Sequence, residues 1–221
     1  MNISDRYIRY IAYLGLAFYS LWIFSYFFNP HLSYTQSYVS ELDVGGQPYV
    51  WIFRIGNFIG SALLFSAFYL FLLKHKTNES NEKHIKLLKL LCIATASAIL
   101  NSFFPMDCSA SQSKSCFIEQ QKYSFGPSQW VHLVTSIVMF GSLILAQYYS
   151  TFYIIKPNLD KLWFRISFSS FMLQSLLNLF LIVISFTGYG PIGLAQRLSL
   201  LFFEVWFVLI LFNKKFKLLA S

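Results

Sequence analysis

The chain reads as an all-α integral membrane protein, a single domain over residues 1–221 forming a bundle of six transmembrane helices with both termini in the cytoplasm. Three observations predict this. The composition is 56% apolar and 20% aromatic with only 12% charged residues, far from soluble usage. Six apolar runs, at about 8–28, 49–73, 86–104, 129–155, 163–187 and 192–213, are each long enough to cross roughly 30 Å of hydrocarbon. Lysine and arginine fall on alternate connections: Arg6 and Arg9; Lys74, Lys76, Lys83, Lys86 and Lys89; Lys156, Lys161 and Arg165; Lys214, Lys215 and Lys217. The opposite connections hold only Lys114 and Lys122, beside Glu41, Asp43, Asp107 and Glu119, so the positive-inside rule sets the orientation. The same asymmetry accounts for the net charge of +8 as topology. No basic face interleaved with stacking aromatics lies outside the spans, so a nucleic-acid partner is not expected.

The first run follows Arg6 and Arg9 and meets no small-x-small cleavage pattern before Asn29-Pro30, so it reads as a retained anchor. The loop after it carries Ser40, Glu41 and Asp43, polar groups that need water or partners. Gly45-Gly46 allows a turn with positive φ, and Pro48 is expected to pre-set the first turn of the second helix. Arg54 enters that helix about one turn inside it, with Asn57 close behind. Arg54 admits two readings, a snorkelling side chain or the edge of a site. Gly56 and Gly60 form a G-x-x-x-G pair through which another helix can come close.

The Lys74–Lys89 connection is polar and solvated, and its sequon Asn78-Glu-Ser80 falls on the side where glycosylation does not occur. Cys92 sits within the third run as a buried free thiol. The outer loop from Phe104 to Gln129 holds Cys108 and Cys116, for which a disulfide is expected. A metal site lacks a second Cys or His pair to complete it. His132 opens the fourth run, Gln174 and Asn178 lie in the fifth, and Arg197 and Glu204 lie in the last. The loops of the two halves do not echo each other, which disfavours an inverted-repeat transporter.

Ionisable groups within apolar spans are functional candidates, and here they are Arg54, His132, Arg197 and Glu204. Asp107 and His132 flank one outer loop. If it folds back, Asp107 can orient His132 for proton transfer, with Ser40 or a water as nucleophile and Arg54 or Arg197 on an anionic headgroup. Glu41, Asn57 and Glu204 complete the expected substrate contacts. A polar cluster pinning helix ends is the competing account. Against the catalytic reading, no G-x-S-x-G elbow, H-E-x-x-H helix or phosphate-cradling glycine loop occurs; neither metal nor cofactor is expected.

Taken together, the Ser40-Glu41-Leu42 loop, Phe104-Pro105-x-Asp107, His132 and Gly193-Leu-x-Gln-Arg197 resemble the layout of a membrane family catalogued as domain of unknown function 998. That family is distantly similar to six-helix Frag1 and DRAM-like proteins, a likeness that implies lipid handling. The function expected is an outer-leaflet-facing polar site that binds or modifies a lipid or amphiphile, as a metal-independent hydrolase or transferase, in the inner membrane of a prokaryote. The alternatives are a small-molecule or proton-coupled transporter using Glu204, and a non-catalytic scaffold or sensor that binds a membrane partner through Gly56 and Gly60. The sequence sets no oligomeric state.

Overall fold

A computed structural model describes residues 4–75, 82–155, 161–187 and 190–212; the Asn78–Ser80 sequon and Lys76, Lys156, Lys214, Lys215 and Lys217 lie outside them. The described residues are helical with no strand, and six segments have the length and apolarity to cross a membrane: Asp5–Phe28, Val50–Lys74, Glu82–Phe103, Pro127–Ile155, Lys161–Ser185 and Ile192–Leu209. We call the end of the bundle that carries Cys108 and Cys116 the loop end, and the end that carries Asp5 the base.

The first span departs from the single helix expected. Helix α1 (Asp5–Tyr19) starts at Ser4, whose Oγ accepts from the Arg6 N–H at 3.3 Å. It then tightens into a 3₁₀ turn (Ser20–Phe24) before a short α2 (Ser25–Phe28). The break has a local cause, because Ser20 Oγ donates back to the Leu16 carbonyl at 2.8 Å, a bond that bends helices. The tighter winding turns Trp22 inward, where it is buried. The chain then runs through a loop to a 3₁₀ turn (Val39–Asp43) and into α3 (Val50–His75). Gly46 takes the expected positive φ of 90°, but Pro48 does not open α3. Tyr49 intervenes with φ 54°, and the Pro48 carbonyl accepts from Asn29 Nδ2 at 2.8 Å.

The remaining helices are α4 (Glu82–Phe103), α5 (Lys114–Gln121), α6 (Pro127–Tyr149), α7 (Lys161–Thr187) and α8 (Ile192–Phe212); α6 continues as a π-turn over Ser150–Ile155. Helix α5 was not foreseen. It is short and lies in the disulfide loop, where Ser113 Oγ caps it by accepting from the Cys116 N–H.

Packing is closest between α1 and α3, and glycines explain why. A Cβ on Gly60 would stand 2.6 Å from the Tyr19 nitrogen and 2.9 Å from the Gly15 carbonyl, so the G-x-x-x-G face is filled by α1 of the same chain. It offers no seat for a partner helix. Helices α4 and α6 extend this layer, and α7 packs chiefly on α8. From mid-bundle to the base one apolar core runs between α1, α3, α4, α6 and α8. Ile8, Phe71, Leu87, Leu88, Leu91 and Phe203 are each no more than 2% exposed within it. Nearer the loop end a smaller cluster gathers Trp22, Leu32, Leu42, Phe53 and Leu200.

Candidate functional site at the loop end

The loop end is organised by the five-residue turn Val39–Asp43. A turn this short points Glu41 and Asp43 to different neighbours, and its Glu41, Leu42 and Asp43 are all buried. A buried carboxylate must be supplied with donors, and each acid has its own set. Glu41, fully buried, accepts from the hydroxyls of Ser109 and Ser111 and from the Ser111 N–H. Both serines lie within the loop that the Cys108–Cys116 disulfide closes. Burial pushes the Glu41 carboxyl above its usual range, opposed by these hydrogen bonds.

Asp43 faces α3. Its Oδ2 accepts from Asn57 Nδ2 at 2.9 Å, and its backbone carbonyl accepts from Arg54 Nη2 at 2.6 Å. Burial pushes the carboxyl up to about 7, against the Asn57 hydrogen bond and the Arg54 charge, which pull it down. Asp43 Oδ1 and Arg54 Nε are buried with no hydrogen-bond partner among the described residues. The Arg54 guanidinium lies 5.4 Å from the ring centre of Trp51, which is exposed.

Arg197 is 3% exposed and serves the loop instead of an open surface. Its Nη1 donates to the carbonyls of Tyr34 at 2.9 Å, Ser37 at 2.7 Å and Gly193 at 3.2 Å, and the guanidinium packs over the Tyr34 ring. A Cβ at Gly193 would collide with the Ser37 carbonyl, so glycine lets the loop seat on α8. Gln196 Oε1 accepts from the Val39 N–H at 2.6 Å. Gly193, Gln196 and Arg197 therefore form a platform for the first loop.

The expected trio of Ser40, Asp107 and His132 is divided. His132 Nδ1 meets the Phe104 carbonyl at 2.9 Å, Asp107 Oδ2 accepts from the Gly126 N–H at 3.1 Å, and Ser40 Oγ donates to Met106 Sδ at 3.0 Å. His132 and Asp107 each meet a main-chain group at a helix end, where backbone donors and acceptors lack intrahelical partners, whereas Ser40 meets a thioether. Asn101 Nδ2 adds a bond to the His132 carbonyl at 3.0 Å, and Ser128 Oγ one to the Pro105 carbonyl at 2.9 Å. Together these residues clamp the end of α4 to the start of α6. Glu204 is separate again: it is buried in mid-bundle and accepts from Trp22 Nε1 at 2.9 Å. Among the described residues no group of three or more His, Cys, Asp or Glu could hold a metal.

Sequence reasoning passed over Ser109, Ser111 and the loop carbonyls that Arg197 holds, and it noted Gln196 only as part of a motif. Only the position of the serines inside the cysteine pair gave a signal. The motifs that turn out to lock these loops span nearly the whole chain, and so does a comparison with known families: residues 14–213 match the family described as protein of unknown function (DUF998). The chain belongs to the DUF998 family. No curated protein and no solved structure matches it. As a DUF998 member it is a polytopic integral membrane protein, and its loop end carries the polar residues that the family-like motifs supply.

Proposed function

We propose that this DUF998 protein binds a membrane amphiphile by its polar headgroup at the start of α3, on the outer face of the membrane, with both termini in the cytoplasm. The observation that carries the reading is the pair of buried, unpartnered polar atoms, Asp43 Oδ1 and Arg54 Nε, on two residues already joined by the Arg54 guanidinium donating to the Asp43 main-chain carbonyl. Buried polar atoms are nearly always satisfied, so an acceptor and a donor on adjoining side chains call for a ligand that offers the complement. A headgroup with a phosphate or carbonyl oxygen for Arg54 and an N–H or O–H for Asp43 meets both. Exposed Tyr49 and Trp51 flank the position with amphipathic rings suited to the headgroup layer.

Binding is the activity this geometry favours over turnover, since His132, Asp107 and Ser40 are each engaged elsewhere.

Native mass spectrometry of the detergent-purified protein tests this reading with phosphatidylethanolamine, phosphatidylglycerol and a neutral diacylglycerol. The phospholipids should be retained in preference to diacylglycerol, and Arg54→Gln and Asp43→Asn should each weaken retention about tenfold, which is about 1.4 kcal/mol. Retention unchanged in both variants would falsify the site.

A further inference from the structure

Glu204 sits apart from the loop-end site. Beside it lies a cavity of about 30 Å³ for water-sized centres, between α1, α3, α4, α6 and α8, whose lining includes Tyr19, Ser61, Thr95 and Glu204. A water needs room and two to four polar partners, and in this otherwise apolar space Ser61, Thr95 and Glu204 supply them. Ser61 is fully buried, and its Oγ has no hydrogen-bond partner among the described residues. The Thr95 hydroxyl donates to the Leu91 carbonyl at 2.8 Å, which leaves its lone pairs.

The carboxyl itself is held by Trp22, whose Nε1 donates to Oε1 at 2.9 Å. A buried carboxyl with one donor and no facing cation is favoured in its neutral, protonated form. No cation opposes Glu204 within the cavity. The lining residues of α3, α4 and α6 are not ionisable, α1 offers only Tyr19, and Asp43 acts on Tyr19 from the loop turn. Arg197, on α8 itself, is about two turns away, and its hydrogen bonds go to carbonyls.

We infer that this cavity is a hydrated proton-binding site in which Glu204 takes up and releases one proton through waters held by Ser61 and Thr95. The proton adds to a carboxylate oxygen and leaves as hydronium, so charge and atoms balance with water alone. The site is reached from the loop end. Toward the base it is closed by the large apolar core, whereas toward the loop end the closure is the small cluster of Trp22, Leu32, Leu42, Phe53 and Leu200. Leu42 hangs on the turn between Glu41 and Asp43, so displacing that turn opens the way to Glu204.

Infrared spectroscopy of the full-length protein carrying carboxyl-labelled glutamate tests this in sodium and in choline buffer at equal ionic strength. The expected result is a glutamic-acid carbonyl band that disappears as pH rises, is missing in Glu204→Gln but present in Glu41→Gln, and is indifferent to sodium. In Ser61→Ala, which retains Glu204 should the first variant fail to fold, its midpoint should move by about half a pH unit or more. The proposal is overturned if no glutamate band assignable to residue 204 titrates between about pH 5 and 9. It is equally overturned if the midpoint falls as sodium is added, since the site would then bind a metal cation, or if Ser61→Ala leaves it unmoved.

Discussion

The base and the loop end hold the same helices together by different physics. At the base, α1, α3, α4 and α8 meet through fully buried apolar side chains such as Ile8, Phe71 and Leu87. At the loop end the helices are tied by hydrogen bonds from one five-residue turn and one arginine. Glu41 is bound to the disulfide loop, Asp43 to α3, and the main chain of the turn to α8. Apolar packing is indifferent to pH and redox state, whereas a carboxylate held by serines in a disulfide-closed loop responds to both. The difference makes the loop end the conditional end.

The largest effect should come from breaking the indifferent end. Phe71→Ala leaves a cavity among fully buried neighbours and should destabilise the protein by about 3–5 kcal/mol in detergent unfolding. That effect should not vary with pH. Arg197→Leu comes next, at about 2–3 kcal/mol, because it strands the Tyr34 and Ser37 carbonyls. It should also speed hydrogen exchange in residues 33–44 while leaving α3 and α4 near the base protected.

Acidity gives the third contrast. The Asp43 carboxyl is raised in the folded state to about 7 from an ordinary value of 3.8, so the folded form binds its proton more tightly than the unfolded chain does. The stability this contributes is fully present below about pH 4 and is lost as pH rises through 7, by about 4 kcal/mol. Asp43→Asn should flatten that slope between pH 4 and 7; an unchanged slope would remove Asp43 from the account.

A smaller effect is the coupling between the disulfide and Glu41. If the Cys108–Cys116 loop serves to present Ser109 and Ser111, replacing both cysteines with serine should destabilise the wild type more than it does Glu41→Gln, with a coupling of about 1 kcal/mol in a double-mutant cycle.

How much of this was legible follows from the range of the forces. The six spans could be read because a bilayer imposes apolar runs of a set length, and the disulfide because two cysteines share one loop. The break after Tyr19 was hidden, since a hydropathy run does not distinguish an α-helix from one tightened by Ser20 and by the burial of Trp22. Glu41, Asp43, Arg54 and Asn57 were all visible as polar residues near one helix start. That Asp43 gathers Arg54 and Asn57, while Glu41 turns to serines some 70 residues along the chain, is tertiary and left no local signal. The expected pairing of His132 with Asp107 illustrates the same limit. Both lie at helix ends, where unpaired main-chain groups are closer than another side chain. Likewise Gly56 and Gly60 advertised a close helix contact without naming α1 as the neighbour.

The most direct test of the difference between the two ends is the side from which the mid-bundle cavity can be reached. In a Ser61→Cys, Cys92→Ser protein reconstituted in one orientation, a small charged thiosulfonate reagent is added to either face, and modification of residue 61 is followed by mass spectrometry. The account predicts reaction from the face that carries the Cys108–Cys116 loop and none from the face that carries Asp5. Reaction from the Asp5 face would contradict it.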